Sequence, residues 1–354
     1  MARVLFTGYP GFLGSELLPR LLARDPTAEA VCVVQPKFAA LATQRAQRST
    51  FAKRIHLVEG DITVPGLATS LAADGISEIY HLAAIYDLSV PRALGMRVNV
   101  DGTRNVLAFA AKSRSFQRLH YISTCYVSGR HPGRFTEDDL DVGQHFNNYY
   151  EETKYLAEVE VQQRMRGGLP ATIYRPSVVV GDSKTGATQK FDGPYFVIQW
   201  LLRQGRYAVL PTVGRPDRYR FNVVPRDFIV DAIAHLSARL DTIGKVYQLA
   251  DPDPLTVAQT TLAVANATGR RLVQVPMPKM IAKGAINYVP GVYRLMRIPA
   301  AAVDYFAHPT TYDTRNTTAA LAGSGITLPR LRDYLPNLIA FVKAHPEIGS
   351  TAMV

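Results

Sequence analysis

The chain has 354 residues, of which 47% are hydrophobic and 19% charged, a composition typical of a folded globular protein that excludes a disordered chain. Its two cysteines, Cys32 and Cys125, are too few for a disulfide framework or a zinc site, and with no expected secretory signal or transmembrane segment they predict a cytoplasmic protein. The net charge of +11 lacks the like-charge runs of a nucleic-acid binder, so it indicates an anionic cofactor with acidic partners, or a generically basic surface.

The chain opens with an apolar strand, a glycine-rich turn and a helix. Gly8, Gly11 and Gly14 form a T-G-x-x-G-x-x-G arrangement between the predicted strand Val4–Thr7 and the predicted helix Ser15–Ala23. Such a turn brings backbone N–H groups and a helix N-terminus against a pyrophosphate. A dinucleotide-binding turn is therefore predicted, the alternative being a glycine-rich surface turn. Its predicted cofactor contacts are Gly8, Tyr9, Gly11, Phe12 and Leu13.

Apolar runs alternate with amphipathic helical segments over the first 180 residues. This alternation predicts a doubly wound α/β fold of the Rossmann type, in which a parallel sheet carries helices on both faces. The predicted strands after the first are Ala30–Gln35, Ile55–Val58, Ile79–Leu82, Leu119–Ser123 and Ala171–Tyr174. The predicted helices after the first are Val100–Ala111 and Tyr150–Arg164.

Beyond residue 180 the alternation is interrupted by segments rich in proline and aromatic residues. The helix Arg226–Ala238 and the strand Val246–Ala250 are predicted to return to the same sheet. Residues 1–180, completed by 223–250, are therefore assigned to an NADP-binding core. Residues 181–222 and 251–354 are assigned to a smaller substrate-binding lid.

The residues after the second predicted strand bear on the choice between NAD(H) and NADP(H). Many dinucleotide-binding folds place a carboxylate there for the ribose 2′-hydroxyl, whereas this chain has Gln35 and Lys37, with Arg45 further on. A cation attracts a 2′-phosphate, so NADP(H) is favoured; the alternative is that Lys37 is a solvated loop lysine. After the third strand, Asp61 is a candidate acceptor for the adenine amino group or a strand-end cap, followed by the cofactor-contact candidate Ile62.

Further motifs follow in order: Tyr80–Ala84, Asn99–Thr103, Tyr121–Tyr126, Tyr150–Lys154 and Tyr174–Pro176. Together with the glycine turn, they make the chain resemble the extended short-chain dehydrogenase/reductase family over its whole length. The resemblance implies a nicotinamide cofactor and hydride transfer. The further cofactor contacts that it implies are Leu82, Ala83, Ala84, Ser123, Tyr150, Lys154, Pro176 and Val178.

Tyr150 and Lys154 are spaced to share one face of a helix. A phenol with a pKa of about 10 is a poor proton shuttle at neutral pH, and a nearby ammonium is expected to lower that pKa. The resemblance implies that Tyr150 protonates the substrate oxygen, that Lys154 tunes it and reaches the ribose, and that Thr124 orients the carbonyl. It also implies that Asn99 supports the active-site helix.

Two neighbouring tyrosines, Tyr149 and Tyr155, are excluded as proton donors. Thr153 and Val159 stand where the lysine partner of each would have to be. The donor pair is therefore predicted to be Tyr150 with Lys154 alone.

The segment Tyr174–Gly186 resembles the branch of the family that includes thioester reductase domains and fatty acyl-CoA reductases. That branch reduces acyl thioesters or aldehydes with NADPH. The chain departs from it in having Gln35 where the branch often has arginine, and we expect no adenylation or carrier domain. A free-standing reductase of a ketone or aldehyde is therefore an equal alternative.

Two aromatic segments, Phe191–Trp200 and Ala285–Tyr305, are candidates for an apolar substrate channel, or else for core or dimer packing. The segment Met280–Arg297 mixes apolar and basic residues. It is interpreted as a packed lid helix, with an acidic membrane surface as the alternative. Asp227 is predicted to be a structural cap.

We predict an NADP(H)-dependent reductase of a ketone, aldehyde or acyl thioester on a mainly apolar substrate. One alternative is a nucleotide-sugar epimerase or dehydratase whose diphosphate would be held by Arg215, Arg218 and Arg220. The other is a non-catalytic NADP-sensing regulator. The histidines His81, His120 and His308 have no metal-ligand spacing, so no metal is predicted. No nucleic-acid partner is expected, and a homodimer is left open.

Overall fold

A parallel seven-stranded sheet organises the part of the chain that the computed structural model describes, residues 3–278, 280–281, 284 and 300–350. The strands described are β1 (Arg3–Thr7), β2 (Glu29–Val34), β3 (Ile55–Glu59), β4 (Ile76–His81), β5 (Arg118–Ile122), β6 (Gly133–Phe135), β7 (Ala171–Pro176), β8 (Val178–Val180), β9 (Tyr207–Val213), β10 (Val223–Pro225), β11 (Val246–Leu249), β12 (Arg271–Met277) and β13 (Thr310–Tyr312). The order in the large sheet is β3-β2-β1-β4-β5-β7-β11.

Helices pack on both faces of this sheet. The helices of the described residues are α1 (Gly14–Arg24), α2 (Ala39–Arg48), α3 (Arg92–Gly95), α4 (Gly102–Ala110), α5 (Tyr149–Arg166), α6 (Pro194–Leu202), α7 (Arg226–Ser237), α8 (Val257–Ala267), α9 (Arg315–Leu321) and α10 (Leu331–Ala344). Of these, α6, α8 and α10 pack with one another away from the large sheet. Between α3 and α4 the residues Met96–Asp101 form a π-helical turn, so 92–110 is one helical run with a bulge. The predicted doubly wound α/β fold is confirmed.

The order in which strands are added to the sheet reverses at β1. Strand β2 pairs with one edge of β1, and β4 pairs with the other. In an open α/β sheet, ligands bind outside the carboxyl ends of the strands at such a point. The fold therefore places the glycine-rich turn after β1 at the mouth of a crevice.

One face of the sheet carries a row of stacked rings, one from each of five adjacent strands. These rings are Phe6, Tyr80, His120, Tyr174 and Tyr247, with neighbouring centroids 6.0, 4.2, 6.2 and 6.3 Å apart and interplanar angles of 20–22°. Parallel strands set equivalent residues side by side, so flat side chains stack across the sheet. The row packs in the core that α1 and α7 cover.

The predicted elements agree with the observed ones to within about three residues. The predicted strand Ile79–Leu82 begins earlier, at Ile76, and the predicted helix Val100–Ala111 begins inside the π-helical turn. The three two-stranded sheets, β8 with β10, β9 with β12 and β6 with β13, were not predicted. They join segments far apart in sequence, which local periodicity does not reveal.

A second hydrophobic core lies among α6, α8, α10 and the β9–β12 sheet. Residues 315–321, however, return to the first core. Strand β13 pairs with β6, and α9 packs on β11 and α7 with Leu321 buried. Residues 310–321 were expected in the lid, but their apolar side chains pack against the large sheet. Among the described residues, no helix is long and apolar enough to span a membrane.

Candidate active site

A cleft of about 530 Å³ opens at the carboxyl ends of the central strands. It runs from the glycine turn after β1, past the ends of β2 to β5, to the first turns of α5. The sequence-predicted residues that line it are Gly8, Tyr9, Gly11, Phe12, Leu13, Gln35, Lys37, Asp61, Ile62, Leu82, Ala83, Ala84, Ser123, Thr124, Tyr150, Lys154, Pro176 and Val178. Of the predicted site residues, only Asn99 is not in this lining.

The three glycines of the turn have no room for a Cβ atom. Gly8 has a φ of +90°, and a Cβ on it would lie 2.8 Å from the Ala83 nitrogen. The Gly11 N–H donates to the Gly8 carbonyl at 2.9 Å, and a Cβ on Gly14 would lie 2.5 Å from that carbonyl oxygen. The backbone is thus exposed to the cleft at the N-terminus of α1. This arrangement fits a dinucleotide pyrophosphate.

At the end of β2, Gln35 donates from Nε2 to Asp61 Oδ2 at 2.8 Å. The other Asp61 oxygen accepts from the Thr63 backbone at 2.8 Å, so the carboxylate fixes the turn after β3. The Lys37 side chain is exposed, with its Nζ 5.2 Å from the Phe38 ring centroid. Its ammonium stands at the rim of the cleft, where the adenosine half of a dinucleotide would lie.

Arg45, considered with Lys37 as a phosphate ligand, is already engaged. Its Nη1 donates to the Pro10 carbonyl at 2.5 Å and to Ser15 Oγ at 2.6 Å. The guanidinium therefore supports the glycine turn from behind and is not among the cleft-lining residues. Burial lowers the pKa of this guanidinium.

The Tyr150 hydroxyl forms a hydrogen bond with the Thr124 side chain. The Thr124 Oγ1 is itself held by the Pro176 carbonyl and by the Tyr126 N–H, each at 3.3 Å. Only 7% of Tyr150 is exposed, and burial raises the pKa of its phenol. Desolvation is the largest effect on this pKa, and the Lys154 ammonium is directed to the Ile122 carbonyl and the Tyr121 hydroxyl.

Lys154 lies one turn along α5 from Tyr150, buried beneath the cleft. Its Nζ donates to the Ile122 carbonyl at 2.8 Å and to the Tyr121 hydroxyl at 3.2 Å. Burial lowers the pKa of this ammonium to about 8, against the opposing effect of Glu158. The amine is therefore mostly protonated at neutral pH and loses its charge as the pH rises through about 8.

Glu158, on the next turn of α5, is a support that sequence reasoning missed. Its carboxylate pairs with Arg175 Nη2 at 2.6 Å, both side chains being fully buried, and accepts from Ser123 Oγ at 2.5 Å. This pair joins α5 to β7 and to the end of β5 directly below the cleft. Its four-residue step from Lys154 places it on the same face of α5, but nothing local in the sequence pairs it with Arg175.

Asn99 lies behind the cleft wall, in the π-helical turn. Its Oδ1 accepts from the Ile85 backbone at 2.9 Å, and its Nδ2 donates to Thr153 Oγ1 at 3.0 Å. The side chain therefore links the loop after β4 to the helix that carries Tyr150. In this structure it acts as a support and does not face the cleft.

Of the two tyrosines excluded as donors, Tyr149 is 49% exposed. Tyr155 packs against Phe146, with ring centroids 5.1 Å apart. Neither lines the cleft. The structure thus leaves Tyr150 as the tyrosine of α5 that faces the site.

The aromatic segment Phe191–Trp200 mostly fills the second core. Phe191 and Tyr195 are buried there, and Asp192 is the residue of this segment that reaches the cleft. The expectation of an aromatic channel wall therefore fails for this segment, because its rings cover α10. Of the second segment, residues 285–299 lie outside the described residues, as does most of Met280–Arg297.

The arginines proposed to hold a diphosphate are away from the cleft. Arg220 pairs with Asp253 at 3.1 Å and donates to the Pro254 carbonyl. Arg215 and Arg218 share a turn through their backbones, and none of the three lines the cleft. Their position gives the nucleotide-sugar reaction no support.

The histidines are packed side chains. His81 bonds Thr7 and Thr103, His120 bonds Glu78, and His308 bonds Tyr312. No group of metal-ligating side chains is found among the described residues. Asp227, predicted to be a cap, accepts from the backbone and the hydroxyl of Ser183 and so anchors the loop after β8.

The sequence is similar to those of known proteins. The family model described as Male sterility protein, of NAD-binding type, matches residues 6–233. A non-canonical nonribosomal peptide synthetase of Aspergillus campestris is 30% identical over 70% of this chain. The aldehyde reductase lnaA of Aspergillus flavus is 29% identical over 71% of this chain. The chain spans about a quarter of the length of these two relatives, 25% and 26% respectively.

Solved structures share the whole fold. The terminal R domain from the myxalamid PKS-NRPS biosynthetic pathway superposes with a TM-score of 0.82 at 26% identity, covering 98% of this chain and 91% of that one. A thiolation-reductase di-domain from an archaeal non-ribosomal peptide synthetase has a TM-score of 0.76 at 21% identity, covering 98% of this chain and 76% of that one. The second likeness concerns the fold alone.

Proposed function

Because the chain belongs to the extended short-chain dehydrogenase/reductase family, in its thioester reductase-like branch, we propose that it is an NADP(H)-dependent reductase of a carbonyl group. The observation that carries the proposal is the meeting of Thr124, Tyr150 and Lys154 in one cleft with the glycine turn. A reductase among the relatives, the aldehyde reductase of Aspergillus flavus, supports the reaction class.

The residues of the cleft fit a nicotinamide dinucleotide. The bare backbone of the glycine turn would hold the pyrophosphate, and Lys154 would reach the ribose beside the nicotinamide. The bound cofactor would supply the hydride. Lys37 at the rim, with no carboxylate at position 35, supports NADP(H) over NAD(H) because a cation there favours a 2′-phosphate.

Thr124 and Tyr150 supply the polar groups for the substrate oxygen. Their hydroxyls are hydrogen-bonded to each other at the cleft surface, so a carbonyl oxygen placed between them would accept from both. Burial raises the pKa of Tyr150, which keeps the phenol protonated at neutral pH. A proton is therefore available at the phenol oxygen for the oxygen that becomes negative during reduction.

Lys154 stabilises the phenolate that remains after the proton has left. Its ammonium is buried and one helical turn away, where a positive charge has a large effect because the local dielectric is low. The Ile122 carbonyl holds it in place at 2.8 Å. Lys154 thus serves the proton transfer without itself being the donor.

The cleft wall beyond Tyr150 supports a mainly apolar substrate. Leu94, Val98, Tyr126 and Val179 contribute to it. The relevant class is an aldehyde, a ketone or an acyl thioester. Arg215, Arg218 and Arg220, the arginines expected to hold a nucleotide diphosphate, lie outside the cleft, which favours the reductase over the epimerase alternative.

A substrate panel tests this proposal. Loss of NADPH absorbance is followed with a medium-chain aldehyde, a ketone, an acyl thioester and a nucleotide sugar. We expect turnover with at least one of the first three and none with the nucleotide sugar. The proposal would be overturned if the nucleotide sugar were converted without net consumption of NADPH and none of the carbonyl compounds were reduced.

A further inference from the structure

Three side chains that the proposed reaction does not yet use form a cluster in the cleft wall next to Tyr150. They are Tyr86, from the loop after β4, with Lys190 and Asp192 from the loop before α6. Only Asp192 falls in a segment singled out in the sequence, Phe191–Trp200, and that segment was chosen for its aromatic residues. They come from segments about 100 residues apart and meet only in the folded chain.

The contacts within the cluster form a chain that ends at the proton donor. Lys190 Nζ pairs with Asp192 Oδ2 at 3.0 Å and also lies 4.7 Å from the Tyr86 ring centroid. The Tyr86 hydroxyl lies beside the Asp192 carboxylate. Tyr86 and Tyr150 make an edge-to-face contact, with ring centroids 5.0 Å apart and an interplanar angle of 78°.

The ion pair is largely withdrawn from solvent, with side-chain exposures of 21% for Lys190 and 16% for Asp192. A pair so placed gains little net stability, because desolvation offsets the Coulomb attraction. Its geometry gives it another use. It contacts Tyr86 at two places, the hydroxyl through Asp192 and the ring face through Lys190, and so favours one orientation of the ring that touches Tyr150.

We propose that Asp192 is a positioning residue that acts through Tyr86 to hold Tyr150 in place for proton transfer, with Lys190 orienting the Asp192 carboxylate. The expected effect on catalysis rests on the proposed function, whereas the positioning of Tyr150 rests on the contacts alone. A misplaced donor costs rate because proton transfer requires hydrogen-bond distance to the substrate oxygen.

A double-mutant cycle tests the catalytic consequence. Tyr86→Phe removes only the hydroxyl, and Asp192→Asn removes only the charge. Each should lower kcat about tenfold with the KM for NADPH unchanged, and the double variant should be no slower than the slower single variant. Losses that multiply, or wild-type kcat in both single variants, would overturn the proposal. Lys184→Ala, an exposed lysine of the same loop, is the matched control and should leave kcat unchanged.

A spectroscopic measurement decides the point without any substrate. In protein labelled at tyrosine Cζ with carbon-13, the Tyr150 resonance is assigned by its absence from Tyr150→Phe. Asp192→Asn and Tyr86→Phe should each shift this resonance, whereas Lys184→Ala should not. An unmoved Tyr150 signal in both variants contradicts the positioning role. A shifted signal in a protein that turns over no carbonyl compound would instead contradict only the proposed function.

Discussion

Burial governs the protonation of the two side chains at the centre of the site. It raises the pKa of Tyr150 and lowers the pKa of Lys154 to about 8. Both effects follow from the cost of holding a charge in a low-dielectric interior. The phenol therefore keeps its proton at neutral pH, while the ammonium is the group that titrates near the physiological range.

Tyr150→Phe should lower kcat at least about a hundredfold, the usual contribution of a general acid. The Kd for NADPH should stay within about twofold, or 0.4 kcal/mol, because the hydroxyl contacts Thr124 and the substrate oxygen. Tyr149→Phe removes the neighbouring, exposed hydroxyl and should have no effect. Steady-state kinetics and fluorescence titration check both variants. A Tyr150→Phe enzyme that retained most of its rate would show that another group donates the proton.

The pH dependence should report Lys154. Since the useful form is the ammonium, kcat/KM for NADPH, which reflects the free enzyme, should be level below about pH 8 and fall as the pH rises through that value. Lys154→Arg keeps its charge at every accessible pH and should abolish the fall. Rates measured from pH 6 to 10 at constant ionic strength check this. A level profile to pH 10 in the wild-type protein would contradict it.

The choice of cofactor should depend on Lys37. NADPH should bind at least tenfold tighter than NADH, about 1.4 kcal/mol, and Lys37→Ala should remove most of that difference by weakening NADPH alone. Lys53→Ala, an exposed lysine outside the cleft, is the control. Titration of each variant with both cofactors checks the ratio. Equal affinities in the wild-type protein would show that the cation at the rim does not select the phosphate.

Among the elements that form the cleft, the glycine turn tolerates little change. Gly14→Ala would put a Cβ 2.5 Å from the Gly8 carbonyl oxygen, which forces the turn away from helix α1. We expect NADPH binding to weaken at least about tenfold, or 1.4 kcal/mol. Gly205→Ala meets no atom within 4 Å and should bind NADPH normally. Unchanged affinity in Gly14→Ala would mean that the turn does not hold the pyrophosphate.

The large sheet and the residues on its strand ends could be predicted from the sequence, because each is encoded locally. A strand, a turn and a helix follow one another within about fifteen residues, and the Tyr150–Lys154 pair lies within one helical turn. The Glu158–Arg175 ion pair and the Tyr86–Asp192 contact could not be predicted. Each depends on segments that only the folded chain brings together, and periodicity carries no signal for such partners.

For the whole molecule, three buried histidines should make stability depend on pH. Burial lowers the pKa of His81 and His308 to about 3, and that of His120 to about 4, against about 6.5 in an unfolded chain. Between these values the unfolded state binds more protons, so the free energy of unfolding falls as the pH falls below about 6.5. Urea denaturation at pH 7.5, 6.0 and 5.0 checks this, and stability that stays level or rises on acidification would contradict it.

Glu151 opposes this trend. Burial raises its pKa to about 7, so the folded state keeps a proton that the unfolded state loses above about pH 4.5, and its contribution to stability falls as the pH rises. Burial also raises the pKa of Glu137, Asp192 and Asp251, which act in the same direction, so comparing Glu151→Gln with the wild-type protein isolates the effect of this one carboxyl. Glu151→Gln should therefore lose more stability than the wild-type protein on going from pH 7.5 to pH 5.0. An equal or smaller loss would contradict the opposing role.

The most direct test of the central claim, hydride transfer to a carbonyl with Tyr150 as proton donor, uses NADPH deuterated at the transferable position. The protein is incubated with a medium-chain aldehyde or with the acyl thioester of the same chain length. The mass of the alcohol or aldehyde formed is then measured by mass spectrometry. With the aldehyde, the wild-type protein and Tyr149→Phe should give an alcohol carrying one deuterium, and with the thioester an aldehyde carrying one or an alcohol carrying two. Tyr150→Phe should give almost no product from either substrate. A product without deuterium, or equal incorporation by Tyr150→Phe, would contradict the proposed reaction.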